Sequence, residues 1–355
     1  MGYKMKIAQL IHQISKSTII LLILFPIVLS SNAESKKDTL VYKAWRDTVK
    51  LQKAQLVTME SGDSMLYFRP KPFKFAKNVP LDFYLLGKTA FSKKNLPTLT
   101  AILVGTAALV AVDQPIIDGA QQFGRYIHLD PDHKKTKSIL KIGGKTVFEI
   151  PTSVNNTFYF LGEGYPSLLI AGGFYSYGLI ANDNRALQTT SQLAESFLVM
   201  GITTQFLKRI TGRESPWVSM DTNGSGSPGG NWHLFPAPGL YQKHVPKYDA
   251  FPSGHFATVM ATITILSGNY PDNKYIKPVG YSLMGLLGYA MLNNGVHWVS
   301  DFPLAIAIGY ATGKIALSHG RQIISKKLKE HGISSSFTPT YLGQGTLGVS
   351  YRLTF

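Results

Sequence analysis

The chain of 355 residues carries 45% apolar and only 16% charged side chains, enough to bury the core of one large domain or two small ones, which excludes a disordered polypeptide. Its formal charge of +16 suits nucleic acid, an anionic membrane or acidic substrates, but no basic stripe interleaved with aromatics is present, and long uncharged segments favour the last two. The absence of cysteine excludes disulfides, thiolate metal sites and thiol nucleophiles.

Residues 1–33 read as a secretory signal: Lys4, Lys6 and Lys16 lead into the apolar run TIILLILFPIVLS, and SNA suits cleavage after Ala33. Without those three lysines the mature chain carries about +13. Residues 34–96, containing RPKPFKF, read as a polar extended arm with a short helix at 81–92. A helical domain follows over 97–320, with apolar blocks at 98–112, 165–181, 186–208, 254–267, 276–292 and 298–318. Their lengths predict an all-α fold, a six-helix bundle. Two long connections interrupt them: 113–164, which includes HLDPDHKKTK and reads as a solvated loop, and 217–250, whose NGSGSPGGN predicts a flexible flap over a site. Residues 321–355 read as the basic amphipathic end of the last helix, RQIISKKLKEHG, followed by a β-hairpin around Gly343 and Gly345.

Antiparallel packing of these blocks brings Lys208, His255 and His297 to one end of the bundle. His297 and Asp301 are four residues apart at the start of the last block, so on a helix they share a face and the carboxylate holds the imidazole. The amides of Ser253, Gly254 and His255 open a helix whose dipole favours an anion, and Gly254 lets the backbone approach it closely. This is a phosphoryl-transfer arrangement. Asp301 fixes the tautomer of His297 so that a neutral ring nitrogen attacks phosphorus, while His255 protonates the departing oxygen.

KRITGRESP (208–216), FPSGH (251–255) and NNGVHWVSD (293–301) resemble, in order and spacing, the three signatures of the type 2 phosphatidic acid phosphatase family, which also holds bacterial acid phosphatases and vanadium haloperoxidases. The resemblance implies a metal- and cofactor-independent hydrolase with His297 as phosphohistidine nucleophile, Asp301 as its orienter and His255 as general acid. It also implies that Lys208, Ser253 and Gly254 hold phosphate oxygens. Two positions depart from the family pattern: Ser215 and Met291 stand where arginines are usual. Arg213 is expected to compensate as a phosphate ligand, or else Arg209, which follows Lys208. The missing guanidinium groups count against a haloperoxidase and leave a phosphate-binding pseudoenzyme as the alternative to a phosphatase. The expected substrate is a phosphorylated lipid or small phosphate ester, with no nucleic-acid partner. The signal and the apolar blocks place the protein in the cell envelope with its site facing the periplasm, integral to the inner membrane, or alternatively as a soluble periplasmic bundle. A cleaved signal and three complete spans before Lys208 would leave that lysine inside the cell, so one block is expected not to cross.

Overall fold

The computed structural model describes residues 54–132, 136–220, 228–324, 334–341 and 347–354. The expected export signal, the glycine-rich centre of the expected flap at 221–227, the lysine-rich run after Ile324 and the expected hairpin turn around Gly343 and Gly345 lie outside the described residues. In chain order the elements are β1 (Ala54–Thr58), β2 (Ser64–Phe68), α1 (Lys74–Ala90), α2 (Leu96–Val110), α3 (Asp113–Tyr126), β3 (Thr136–Ile142), β4 (Lys145–Pro151), α4 (Val154–Tyr159), α5 (Tyr165–Ile180) and α6 (Asn184–Thr211). They continue with α7 (Pro216–Met220), α8 (Pro238–Lys243), α9 (Gly254–Asn269), α10 (Ile276–Asn293), α11 (Phe302–Leu317), β5 (Arg321–Ile324), β6 (Ser334–Tyr341) and β7 (Leu347–Thr354). The chain is thus mostly helical with small sheets, and all-α is too narrow a description.

Helix α6 is the axis on which the site is hung. Asp183 starts it by accepting the Ala186 amide at 2.7 Å, and Gln55 Oε1 accepts the Asn184 and Arg185 amides at 2.6 and 3.2 Å. Gly212 ends it in the left-handed conformation at φ 53°, where a side chain would also strike the His233 carbonyl. Buried residues along α6 face several directions because α5, α9 and α11 all pack against it. The main core joins α9, α10 and α11: Phe256 stacks on Phe302 at 4.1 Å between centroids, with Leu287, Ala290, Met291 and Ala305 around them. Burying each large side chain there contributes about 1.5–3 kcal/mol.

Several loop assignments from the sequence are corrected by packing. The stretch 34–96 is structured from Ala54 onward: β1 and β2 pair antiparallel, β2 pairs antiparallel with β5, and buried Tyr67 donates its hydroxyl to the Asn269 carbonyl at 3.1 Å. Helix α1 is longer than the short helix expected and begins earlier. The presumed loop 113–164 contains α3, the β3–β4 hairpin and α4; Ile117 of α3 buries against Trp298 and Ala250, a contact invisible to a local reading. The presumed flap is pinned over its described part by backbone bonds, including Glu214 N–H to Asn231 O at 2.9 Å and Ala250 N–H to Arg213 O at 3.0 Å. The last helix stops at Leu317, so the expected basic helix end at 321–324 is instead strand β5, held by the Arg321 guanidinium on the Leu317 carbonyl at 2.7 Å. Strands β6 and β7 pair antiparallel, Ser334 opposite Thr354.

Among the described residues no single helix is long and apolar enough to cross a membrane; α2 and α3 pass such a test only as a pair, bent by 66°. Leu103 and Val104 of α2 and Leu168, Leu169 and Ile180 of α5 are nevertheless exposed.

Candidate active site

Helix α9 opens with Ser253 as its cap, the hydroxyl accepting the Phe256 amide at 3.4 Å. The Ser253 amide donates to the Asp301 carbonyl at 3.1 Å and its hydroxyl points to Met291 Sδ at 3.9 Å, so this fully buried residue joins two signatures instead of offering its own amide to a phosphate. The Ser253 amide expected to face the anion is thus spent on Asp301, which leaves the first-turn amides of Gly254 and His255 as the backbone donors at the helix entrance. Lys208, in the last turn of α6, reaches the same place: a Cβ added to Gly254 would lie 3.8 Å from Lys208 Nζ. In the structure that ammonium is held by Asp249 Oδ2 at 2.7 Å, and Asp249 also accepts the Tyr241 hydroxyl.

The imidazoles of His255 and His297 meet edge to face, 5.4 Å between ring centroids. His297 Nδ1 faces Asp301 Oδ2 at 3.3 Å, which leaves Nε2 as the other ring nitrogen for chemistry. The two residues do not share an α-helical face as expected: His297 precedes a 3-10 turn, Val299–Asp301, and the carboxylate folds back over that turn to accept the Trp298 amide at 2.8 Å as well. Burial lowers the basicity of His297; Asp301 opposes this, while His255 and Lys208 reinforce it. A buried ring favoured in its neutral form suits a nitrogen nucleophile.

Arg213 has a different place from the one the sequence suggests. Its guanidinium is 0% exposed, bonded through Nη1 to Asp301 Oδ1 and through Nη2 to Asp113 Oδ2, both at 2.6 Å. Ser300 Oγ and the Gly229 carbonyl accept further bonds at 2.6 and 2.8 Å, and the Trp232 and Trp298 rings flank it. The residue therefore stands behind Asp301 and is not a phosphate ligand. Arg209 is no substitute: it lies over Tyr241 and bonds to Gln205. Ser215 is buried, its amide on the Pro246 carbonyl at 2.9 Å and its own carbonyl accepting the Val218 and Ser219 amides, and Met291 is a core residue.

Glu163 was not anticipated. It lies in LGEGYP, just before α5 in a segment that reads as loop, and its Oε1 is 3.4 Å from His255 Nε2. The backbone comes close enough because residue 162 is glycine: a Cβ there would lie 2.5 Å from His255 Cβ. Burial opposes ionisation of Glu163, yet the hydrogen bond and charge of His255, the Tyr159 hydroxyl and the charge of His297 together bring its carboxyl down to about 2. A carboxyl depressed from its ordinary 4.5 stabilises the fold fully above that value and loses the contribution as pH falls towards 2. The unfolding midpoint of Glu163→Gln should accordingly lie below that of the wild type near neutrality, with the gap closing as the pH is lowered through this window. A gap independent of pH would contradict the ionic role. Asp249 has a sequence cue, since it directly precedes AFPSGH.

Among the described residues, the acidic and imidazole groups close enough to share a metal ion are Asp82, Glu195 and His319, which lie away from this site along α6.

With this geometry in place, the comparisons with known proteins acquire a structural meaning. Residues 190–322, spanning all three signatures, match the model of the PAP2 superfamily. The matched segment carries every signature residue described above. The solved structures similar to it include Aquifex aeolicus LpxE, at 19% identity over 46% of this chain and 84% of that one with a TM-score of 0.32. They also include the first transmembrane PAP2 type phosphatidylglycerolphosphate phosphatase from Bacillus subtilis, at 15% identity over 69% and 95% of the two chains with a TM-score of 0.29. No curated protein matches the sequence.

Proposed function

We propose that the chain is an envelope phosphatase that hydrolyses phosphomonoesters or diphosphates, lipid-linked ones in particular, through a phosphohistidine on His297. The observation that carries this reading is the meeting of His297, oriented by Asp301, with His255 and the α9 amino terminus beside Lys208. The Nε2 lone pair of His297 forms the N–P bond as the P–O bond to the leaving group breaks, and protonated His255 gives its proton to the departing oxygen. Water then attacks phosphorus, the N–P bond breaks, His255 takes the proton back and inorganic phosphate leaves. Lys208, released from Asp249, and the Gly254 and His255 amides bind the phosphoryl oxygens. Glu163 orients the His255 ring.

A lipid-linked substrate is supported by an apolar groove between α5, α9 and α10, lined by Leu161, Ile170, Val259, Ile263 and Leu283. Exposed leucines on α2 and α5 support association with a bilayer, and the amino-terminal signal supports a periplasmic face. Purified protein should release inorganic phosphate from phosphatidic acid in mixed micelles faster than from a soluble aryl phosphate. Failure to turn over any phosphate ester from acid to neutral pH would overturn the enzyme reading.

A second reading rests on Ser215 and Met291, both buried and uncharged where the resemblance implies guanidinium groups. It makes the pocket a phosphate-binding pseudoenzyme: saturable phosphate binding, abolished in Lys208→Ala, without measurable turnover would favour it.

A further inference from the structure

Helix α1 docks in an unusual way. Of its 17 residues, the one buried is not apolar but Asp82, 1% exposed, and neither of its carboxylate oxygens has a hydrogen-bond partner. A buried carboxylate without donors is costly to leave so, and a helix has no reason to present one inward unless something positive receives it. Two other side chains converge there. Glu195 of α6, itself buried, faces His319 Nδ1 at 2.5 Å, and that nitrogen is 3.7 Å from Asp82 Oδ1. One ligand atom from each of the three lies within 4.8 Å of the others. Asn78, one turn before Asp82, donates to Glu195 Oε2 at 2.7 Å and so fixes that carboxylate from outside.

We propose that Asp82, Glu195 and His319 bind a divalent transition-metal ion that fastens α1 to the helical core. Two carboxylates neutralise a divalent charge, and an imidazole nitrogen with carboxylate oxygens is a donor set suited to zinc or manganese rather than calcium or magnesium. Donors around a zinc ion stand roughly 3.3 Å apart, so the Asp82–His319 spacing already fits and the His319–Glu195 contact opens by about 1 Å. The ligands come from three elements: α1, α6 and the turn between α11 and β5. A single ion therefore ties the first described helix to the far end of the domain. Glu195 precedes Lys208 by 13 residues on the same helix, about 20 Å away, so the site is separate from the catalytic pocket and independent of what that pocket does.

The competing occupant is a proton. Burial and the charge of Glu195 push the Asp82 carboxyl up to about 7, as two carboxyls sharing one proton would require. Metal analysis of the full chain, purified without a histidine tag, separates the two. After equilibration with zinc chloride and removal of free ion, we expect one zinc per chain and a rise in unfolding midpoint of about 5 °C or more at saturation. Asp82→Asn and His319→Gln should each weaken zinc binding at least 10-fold and remove the midpoint rise, while far-UV circular dichroism confirms that they remain folded. If either variant does not fold, Glu195→Gln supplies the same comparison. No stoichiometric zinc or manganese in the wild-type chain, or undiminished binding in the variants, overturns the proposal, and a more stable Asp82→Asn protein without metal assigns the cluster to a shared proton.

Discussion

His297→Ala should lower phosphate release by at least about 1,000-fold while leaving phosphate binding nearly intact. The expectation follows from what the ring touches. Nδ1 is committed to Asp301, so the residue's remaining polar atom is the one available to phosphorus, and removing it removes the acceptor of the phosphoryl group itself. His255 is the proton donor of the proposed mechanism, and its loss should be graded differently: His255→Ala should spare substrates with good leaving groups, which need no proton, and fail on alkyl phosphates. A rapid acid-avoiding quench with labelled substrate completes the test, because a phosphoramidate on histidine is lost in acid and persists in base. Label retained by the wild type and absent from His297→Ala supports the covalent route. Turnover in His297→Ala comparable to wild type, or label on another residue, refutes it. Ring loss from this buried position also leaves a cavity, so each variant's unfolding midpoint must be read alongside its rate.

The end of the molecule that carries the candidate site was more legible than its scaffolding, for a physical reason. Lys208, His255 and His297 were placed together by helix lengths and short connections alone, because antiparallel packing leaves few alternatives once apolar blocks are recognised. Arg213 was legible as important but not as buried. A guanidinium two residues from a signature position reads as a ligand until the partner carboxylates are known, and Asp113 is 100 residues distant in sequence. Glu163 and Asp249 were missed for a related reason: both lie in segments without periodicity, where pattern reading has no purchase and only tertiary contact assigns a role. Helix α3 was lost as loop because its apolar face is narrow and its first residue, Asp113, spends its carboxylate on Ser300 and Arg213. The same contrast applies to the two uncharged positions. Met291 belongs to the core cluster of Phe256 and Leu287 while its sulfur reaches the Ser253 hydroxyl at 3.9 Å, so an uncharged side chain occupies the side of the α9 entrance where the resemblance implies a guanidinium.

Arg213→Met should be the most destabilising single substitution near the site. The methionine retains much of the stem's volume between Trp232 and Trp298, but it strands Asp301 and Asp113, both fully buried, without their shared cation. Breaking a buried pair by deleting one partner costs about 3–5 kcal/mol, and a domain of this size loses roughly 2–4 °C of midpoint per kcal/mol, so a fall of about 6–20 °C is expected. Arg213→Lys should fall in between, since one ammonium cannot span two carboxylates that the planar fork reaches together. The cycle with Asp113→Asn distinguishes a charge effect from a packing effect: with one stranded carboxylate neutralised, Arg213→Met should cost visibly less than in the wild-type background. Catalysis carries the second signature. Because Arg213 acts on the reacting ring only through Asp301, kcat should drop with little change in KM, whereas a direct phosphate ligand would raise KM as well. A variant that stays as stable as the wild type, or one whose defect is confined to KM, would return Arg213 to the pocket wall and leave the orientation of Asp301 without its support.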